Sequence, residues 1–196
     1  QLTPDASYEY RIGDAYLDAY TEPVTIKAVN PTESGKWSFA HVSDSQTAGA
    51  DGAGSNSGYA FANTLKGISK DETNRFIVHT GDVVEWSRYE SYWTNMLDYN
   101  FGALSVMPVM SISGNHETTY RNGTSETYKH FNYKYPAQTV KNGLYYSFVY
   151  GGVKFVMINT NELNANTGAL RDHQYNWIVD ELKNNTEKWL VVGMHN

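Results

Sequence analysis

The chain contains no cysteine, which removes disulfide bonds, thiolate zinc sites and thiol nucleophiles together. Any metal must therefore be held by Asp, Glu, Asn, Gln or His, donors that suit hard or borderline cations. Basic residues are outnumbered, with 15 Lys and Arg against 21 Asp and Glu, a formal net charge of −6. That balance argues against non-specific binding to DNA, RNA or an anionic membrane surface. It leaves room for a phosphorylated substrate, because a local cation can outweigh the overall field. No apolar run has the length of a membrane span. Gln1 opens no signal-peptide pattern, as expected where such a leader has been removed or never existed.

What is present describes a folded domain. The 196 residues are 40% hydrophobic and 18% charged, enough apolar content for a real core. Tyr reaches 16 and Trp 5. With the plentiful Asn and Thr, this composition leans toward a carbohydrate-rich or cell-wall setting, so a secreted or cell-surface location is expected. Oligomeric state cannot be read from composition.

Along the chain, Tyr8, Tyr10 and Ile12 alternate with Glu9 and Arg11, the period of a half-buried strand. Pro23 to Val29 reads as a second strand. Two strands cannot sustain a sheet alone, so residues 1–30 read as the tail of a β-domain. Asn30 to Gly35 is a turn-rich linker. Strands and helices then alternate, which argues an α/β layered core. The expected strands are Trp37–Ser43, Arg75–Thr80, Val106–Ile112 and Lys188–Gly193, with a hairpin of Leu144–Tyr150 and Val153–Asn159 around Gly151-Gly152. Helices are expected near Gly58–Ile68, Glu85–Tyr99 and Gly168–Lys183.

Four of these strands end in a residue able to bind a metal: Asp44 with Gln46, then Asp82, Asn115 and His195. Parallel strands ending on one edge would make them neighbours. Asp82 could then bridge two cations, with Asp44 and Gln46 completing one site and Asn115 and His195 beginning another. Each has a plainer reading. Asp44 and Asp82 fit helix caps or turns, Gln46 a surface amide, and His195 an exposed side chain. The fourfold recurrence of the placement outweighs these. His116, beside Asn115, can exchange a proton near neutral pH, and Glu117 can orient either neighbour. His41 and His79 lie within strands and read as core or supporting histidines.

Asp44-Ser45-Gln46, Gly81-Asp82-Val83-Val84-Glu85, Gly114-Asn115-His116-Glu117 and Gly193-Met194-His195 resemble the ordered signature of calcineurin-like metallophosphoesterases. The resemblance covers about Trp37 to Asn196 and points to the purple acid phosphatase-like branch. It implies an α-β-β-α sandwich over residues 36–196, and makes 1–30 the end of a fibronectin-like domain. It implies two divalent or trivalent ions of Mn, Fe or Zn, bound by Asp44, Gln46, Asp82, Asn115 and His195. It further implies hydrolysis of phosphate mono- or diesters by a metal-bound hydroxide, with His116 contacting phosphate and protonating the leaving alkoxide. Gln46 stands where many relatives have His, and Glu85 where purple acid phosphatases have a metal-binding Tyr. The family's final Gly-His-x-His block does not occur in these residues, so two further His ligands and the rest of the sandwich are expected beyond Asn196. The second reading is a catalytically silent binding or structural module that keeps the fold. Under the first, the loops Ala48–Gly58 and Thr118–Asn142 are expected to shape the substrate pocket, with Tyr120, Arg121 and Tyr128 as candidate contacts.

Overall fold

The computed structural model describes residues 2–48, 58–118, 127–131, 133, 145–163 and 169–195. The expected pocket residues Tyr120 and Arg121, and the side chain of Tyr128, lie outside them. In chain order the strands are β1 (Ser7–Tyr10), β2 (Gly13–Asp14), β3 (Ala19–Tyr20), β4 (Val24–Lys27), β5 (Ser38–Val42), β6 (Asn74–His79), β7 (Val109–Ser111), β8 (Tyr146–Tyr150), β9 (Val153–Met157) and β10 (Trp189–Gly193). The helices are α1 (Tyr59–Ile68), α2 (Glu90–Leu104), α3 (Thr127–His130), α4 (Thr160–Leu163) and α5 (Ala169–Lys183). Among the described residues no helix is long and apolar enough to cross a membrane.

β5, β6 and β7 form a parallel sheet in that order, with α1 and α2 as the crossovers. The register aligns Val42 with His79 and His79 with Ser111. Because all three strands run one way, the segments after them leave at a single edge. That edge carries Asp44, Asp82 and Asn115. A second sheet has the order β10-β9-β8, with β10 parallel and β8 antiparallel to β9. Gly193 pairs with Met157, which sends the chain after β10 toward the residues that follow β9.

The two sheets face each other through aromatic side chains. Phe39 and Phe76 stack at 5.7 Å, and Phe155 meets them edge-on at 5.2 and 5.4 Å. Val78, Ile112, Tyr146, Tyr150 and Met157 complete this buried layer. Strand alternation sends Phe76 and Val78 inward and Ile77 to the opposite face, against Phe61, Leu65, Ala103 and Met107 of the helical layer. On the far side, α5 packs by its Trp177 ring against Tyr145 at 4.8 Å and by the Glu181–Lys154 ion pair of 2.6 Å. The layers are thus helix, sheet, sheet, helix.

Several elements differ from their sequence expectation; β1 ends at Tyr10, leaving Ile12 exposed beyond it. α2 begins at Glu90 rather than Glu85, because residues 85–89 fold onto the loop after β7. Ser87 N donates to the His116 carbonyl at 3.4 Å, its Oγ donates to the Glu117 carbonyl at 3.1 Å, and Trp93 Nε1 donates back to the Ser87 carbonyl at 2.9 Å. Trp86 and Tyr89 therefore share the spacing of Trp93 and Met96 without being helical. β7 spans only Val109–Ser111, since Pro108 has no N–H to give a ladder.

The N-terminal residues form two ribbons, β1 with β4 and β2 with β3, both antiparallel. Tyr10 reaches out of the first and donates its hydroxyl to the Ser105 carbonyl at 2.7 Å. Glu33, in the linker, accepts two bonds from Arg75, at 2.7 and 2.6 Å, and one from the Tyr150 hydroxyl at 2.5 Å.

Candidate metal centre

The segments after β5 and β6 run side by side. Asp44 N donates to the Gly81 carbonyl at 3.0 Å, Gln46 N to Asp82 at 2.9 Å and Thr47 N to Val83 at 3.1 Å. Asp44, Gln46 and Asp82 all adopt left-handed backbone, with φ of 54°, 40° and 55°. For residues carrying a Cβ this conformation costs about 1–2 kcal/mol each, and the surrounding bonds hold it. Strain of this kind gathers where side chains must be aimed. The third segment packs still closer. A Cβ on Gly114 would lie 2.1 Å from Asp82 Oδ1 and 2.4 Å from Asp82 N, so only glycine fits between the loops.

This packing brings the strand-end residues together. One ligand atom from each of Asp44, Asp82 and His195 lies within 4.8 Å of the others. The His195 ring donates from Nδ1 to the Thr80 carbonyl at 2.8 Å, so Nε2 is the nitrogen turned toward the other strand-end residues. That nitrogen lies 3.0 Å from Asn115 Oδ1 and 3.4 Å from Asp82 Oδ2. An imidazole nitrogen, an amide oxygen and a carboxylate thus converge, and a cation bound there would take the place of the proton between Nε2 and Asn115 Oδ1. Such a set suits a divalent cation, and it fits the group the sequence motifs imply.

His116 sits at the same edge, half-buried. Its backbone N–H donates to Asp82 Oδ1 at 2.9 Å, and its Nδ1 donates to the Glu85 carbonyl at 2.5 Å. Nε2 faces Gln46 Nε2 at 3.3 Å and Asp82 Oδ2 at 3.8 Å. Burial opposes the charged ring. The Glu85 carbonyl and the carboxylates of Asp82, Glu85 and Glu117 outweigh it and raise the pKa above 6.5. Gln46 therefore contacts His116, while Asp44 falls in the carboxylate–imidazole group. The Trp86 ring lies beside His116 at 5.6 Å.

Glu117 is wholly buried beneath these loops. Burial pushes its carboxyl up to about 7, against the pull of backbone N–H donors from Gly114, Val84 and Asp82. His79 is also buried. Its Nε2 bonds to Ser45 Oγ at 2.9 Å, and its Nδ1 accepts from Gly81 N at 3.3 Å, which defines a neutral tautomer. Burial lowers its pKa to about 3. His79 supports the loops, as its strand position suggested. His41 is exposed rather than part of a core, and bonds to Thr80 Oγ1 at 3.0 Å. His130 stacks on Trp93 at 3.9 Å, and His173 bonds to the Tyr145 hydroxyl at 2.8 Å.

One supporting residue left no signal in the sequence. Asn161, after β9, donates from Nδ2 to the carbonyls of Gly114 at 3.1 Å and Ser113 at 3.3 Å. It ties the second sheet to the Asn115 loop through main-chain acceptors, which carry no residue identity.

The chain thus places carboxylate, amide and imidazole groups at the strand ends of an α-β-β-α sandwich. The calcineurin-like phosphoesterase family model matches residues 38–196, and the chain belongs to that family. The chain is similar to purple acid phosphatase 23 of Arabidopsis thaliana, with 26% identity over 218 aligned residues, covering 99% of this chain and 46% of the relative. Among solved structures it is similar to purple acid phosphatase PPD1 from yellow lupin (Lupinus luteus) seeds. That match has a TM-score of 0.75 and 25% identity, covering 98% of this chain and 36% of the other. PhoD shares the fold, with a TM-score of 0.61 and 17% identity over 97% of this chain and 47% of that one. The chain spans less than half the length of each of these proteins.

Proposed function

We propose that this chain forms the metal- and phosphate-binding part of an enzyme that hydrolyses phosphate mono- or diesters at a dinuclear centre. The observation that carries the reading is the convergence of Asp44, Asp82 and His195 ligand atoms within 4.8 Å. Asp44 and Gln46 would hold one cation, Asn115 and His195 the other, and Asp82 would be shared. When bound, two cations of Mn, Fe or Zn would polarise the phosphoryl group and lower the pKa of a water.

The chain's own contribution is positioning and proton transfer. His116 is fixed at Nδ1 by the Glu85 carbonyl, so Nε2, which faces Gln46 in this structure, is the atom left to serve substrate. Its raised pKa favours the protonated ring that an acid catalyst needs. The oxygen of water adds to phosphorus, the bond to the leaving oxygen breaks, and His116 protonates that oxygen. The proton released by the attacking water restores His116. No covalent enzyme intermediate is needed, which accords with the absence of cysteine. The substrate is a phosphorylated small molecule or other phosphoester, and the composition favours action outside the cytoplasm. Residues 1–30 are assigned to the end of a fibronectin-like domain preceding the catalytic one.

The test is hydrolysis of p-nitrophenyl phosphate and its bis-ester by the protein in its natural extent, with added Mn²⁺. Turnover abolished by chelator, and strongly reduced by His116→Ala with metal content retained, is the expected result. Turnover indifferent to both treatments would overturn the mechanism. A protein that binds Mn²⁺ but cleaves neither ester would favour a silent binding module.

A further inference from the structure

Glu117 is a buried acid to which the proposed reaction gives no role. Its side chain is fully enclosed, and its carboxylate accepts four backbone N–H bonds. Oε2 takes Asp82 N at 2.8 Å and Gly114 N at 2.8 Å. Oε1 takes Val83 N at 2.7 Å and Val84 N at 3.3 Å. These donors belong to two different loops, one after β6 and one after β7. The segment after β5 pairs with the carbonyls of Gly81, Asp82 and Val83, which leaves the N–H groups of Asp82, Val83 and Val84 to the carboxylate. The backbone of Glu117 is itself held, since Ser87 Oγ donates to its carbonyl at 3.1 Å.

We infer that Glu117 is the positioning residue of the metal centre: a single carboxylate that sets the spacing between the Asp82 and Asn115 loops. The inference rests on the metal-centre reading above. One oxygen, Oε2, joins the N–H of Asp82 to that of the residue directly before Asn115. The proposed shared ligand and the proposed second-site ligand are therefore placed relative to each other through one atom. Gly114 allows the approach, as a Cβ there would strike Asp82. His116 N, bonded to Asp82 Oδ1 at 2.9 Å, closes the same arrangement from the ligand side.

The chemistry requires an acceptor at both oxygens. Glutamine keeps the size of the side chain, but its amide group turns two of the four contacts into donor against donor. Glu117→Gln should therefore loosen one loop without emptying the space. Glu117→Ala removes all four acceptors. Should the alanine variant fail to fold, the glutamine variant carries the test.

Two measurements on the protein in its natural extent separate positioning from bulk stability. The first is Mn²⁺ binding by calorimetry, well below the melting temperature of each variant. Glu117→Gln should weaken Mn²⁺ roughly 10–100-fold, the size seen when groups that orient ligands are lost. The second is amide hydrogen exchange without metal, where Asp82, Val83 and Gly114 should exchange roughly tenfold or more faster in Glu117→Gln than in the parent. A Glu117→Gln protein that melts earlier yet binds Mn²⁺ like the parent would overturn the inference, leaving Glu117 a structural residue. Unchanged exchange at the three amides would overturn it too. If the parent protein binds no Mn²⁺, the metal-centre reading falls, and the positioning role falls with it even where exchange shows that Glu117 joins the loops.

Discussion

His195 and Asn115, eighty positions apart in the chain, meet with Nε2 of the ring 3.0 Å from Oδ1 of the amide. The contact spans both sheets, since His195 follows β10 and Asn115 follows β7. Nδ1 of the ring is committed to the Thr80 carbonyl, so a cation held between the two residues would replace the proton that Nε2 gives to Oδ1. Asn115→Ala and His195→Ala should each weaken Mn²⁺ binding at least roughly tenfold, measured by calorimetry. If both variants bind as the parent does, neither residue is a ligand.

His116 should set the alkaline side of the activity profile. Its pKa is raised by the Glu85 carbonyl and nearby carboxylates despite the opposing effect of burial. The protonated ring is the active form of an acid catalyst, so turnover should fall as pH rises through a value above 6.5. His116→Ala should lower turnover by about 10²–10⁴ and remove that limb. The loss should be greater for an alkyl phosphate than for p-nitrophenyl phosphate, whose leaving group needs little protonation. Equal losses for the two substrates would count against a proton-donor role.

His79 should make the metal-free protein sensitive to acid. An unfolded imidazole takes a proton below about 6.5, whereas the buried ring resists it down to about 3. Between those values the unfolded state binds more protons, so stability falls as pH falls. The slope contributed by one such group is at most about 1.4 kcal/mol per pH unit. Urea unfolding of the parent and His79→Phe across pH 4 to 7 would measure it, and the variant's curve should be flatter. Parallel curves would show that His79 contributes nothing to the slope.

The linker should depend on Arg75. Its two bonds to Glu33 hold that carboxyl below the usual range, helped by the Tyr150 hydroxyl. Arg75→Ala should cost roughly 1.5–3 kcal/mol, the range for charged hydrogen bonds whose partner stays part-buried. Because the Glu33 pKa is depressed, this contribution is complete above 4.5 and is lost as pH falls below it toward the folded value. Denaturant titration of the variant at neutral pH gives the magnitude, and a change below 0.5 kcal/mol would show the pair to be incidental.

Phe155 carries the centre of the inter-sheet layer. It is fully buried, parallel to Phe148 at 4.7 Å and edge-on to Phe39 and Phe76. Phe155→Ala should cost about 3–5 kcal/mol by chemical denaturation. A cost under 1 kcal/mol would mean that the two sheets close over the gap.

Much of this arrangement is legible in the sequence, for a definite reason. β5, β6 and β10 are apolar runs that stop at a small residue and then a polar one, and burial alone dictates where such runs end. Parallel order then forces Asp44, Asp82 and Asn115 to one edge. The start of α2 was not legible, because Trp86 and Tyr89 keep helical spacing while Ser87 is bonded to the His116–Glu117 backbone. Asn161 was not legible, because it recognises only carbonyl groups.

By itself the sequence determined which side chains were available at the strand ends, and excluded thiol chemistry. It also determined that Gly114 would bear no Cβ, although not what that space was for. Only the tertiary structure decided how the donors face one another. It turned Asp44, Gln46 and Asp82 into left-handed backbone, brought His195 across from the second sheet, and set four N–H groups around Glu117. The physical reason is that these relations run through backbone groups, which every residue shares. Their partners are chosen by packing between segments distant in the chain.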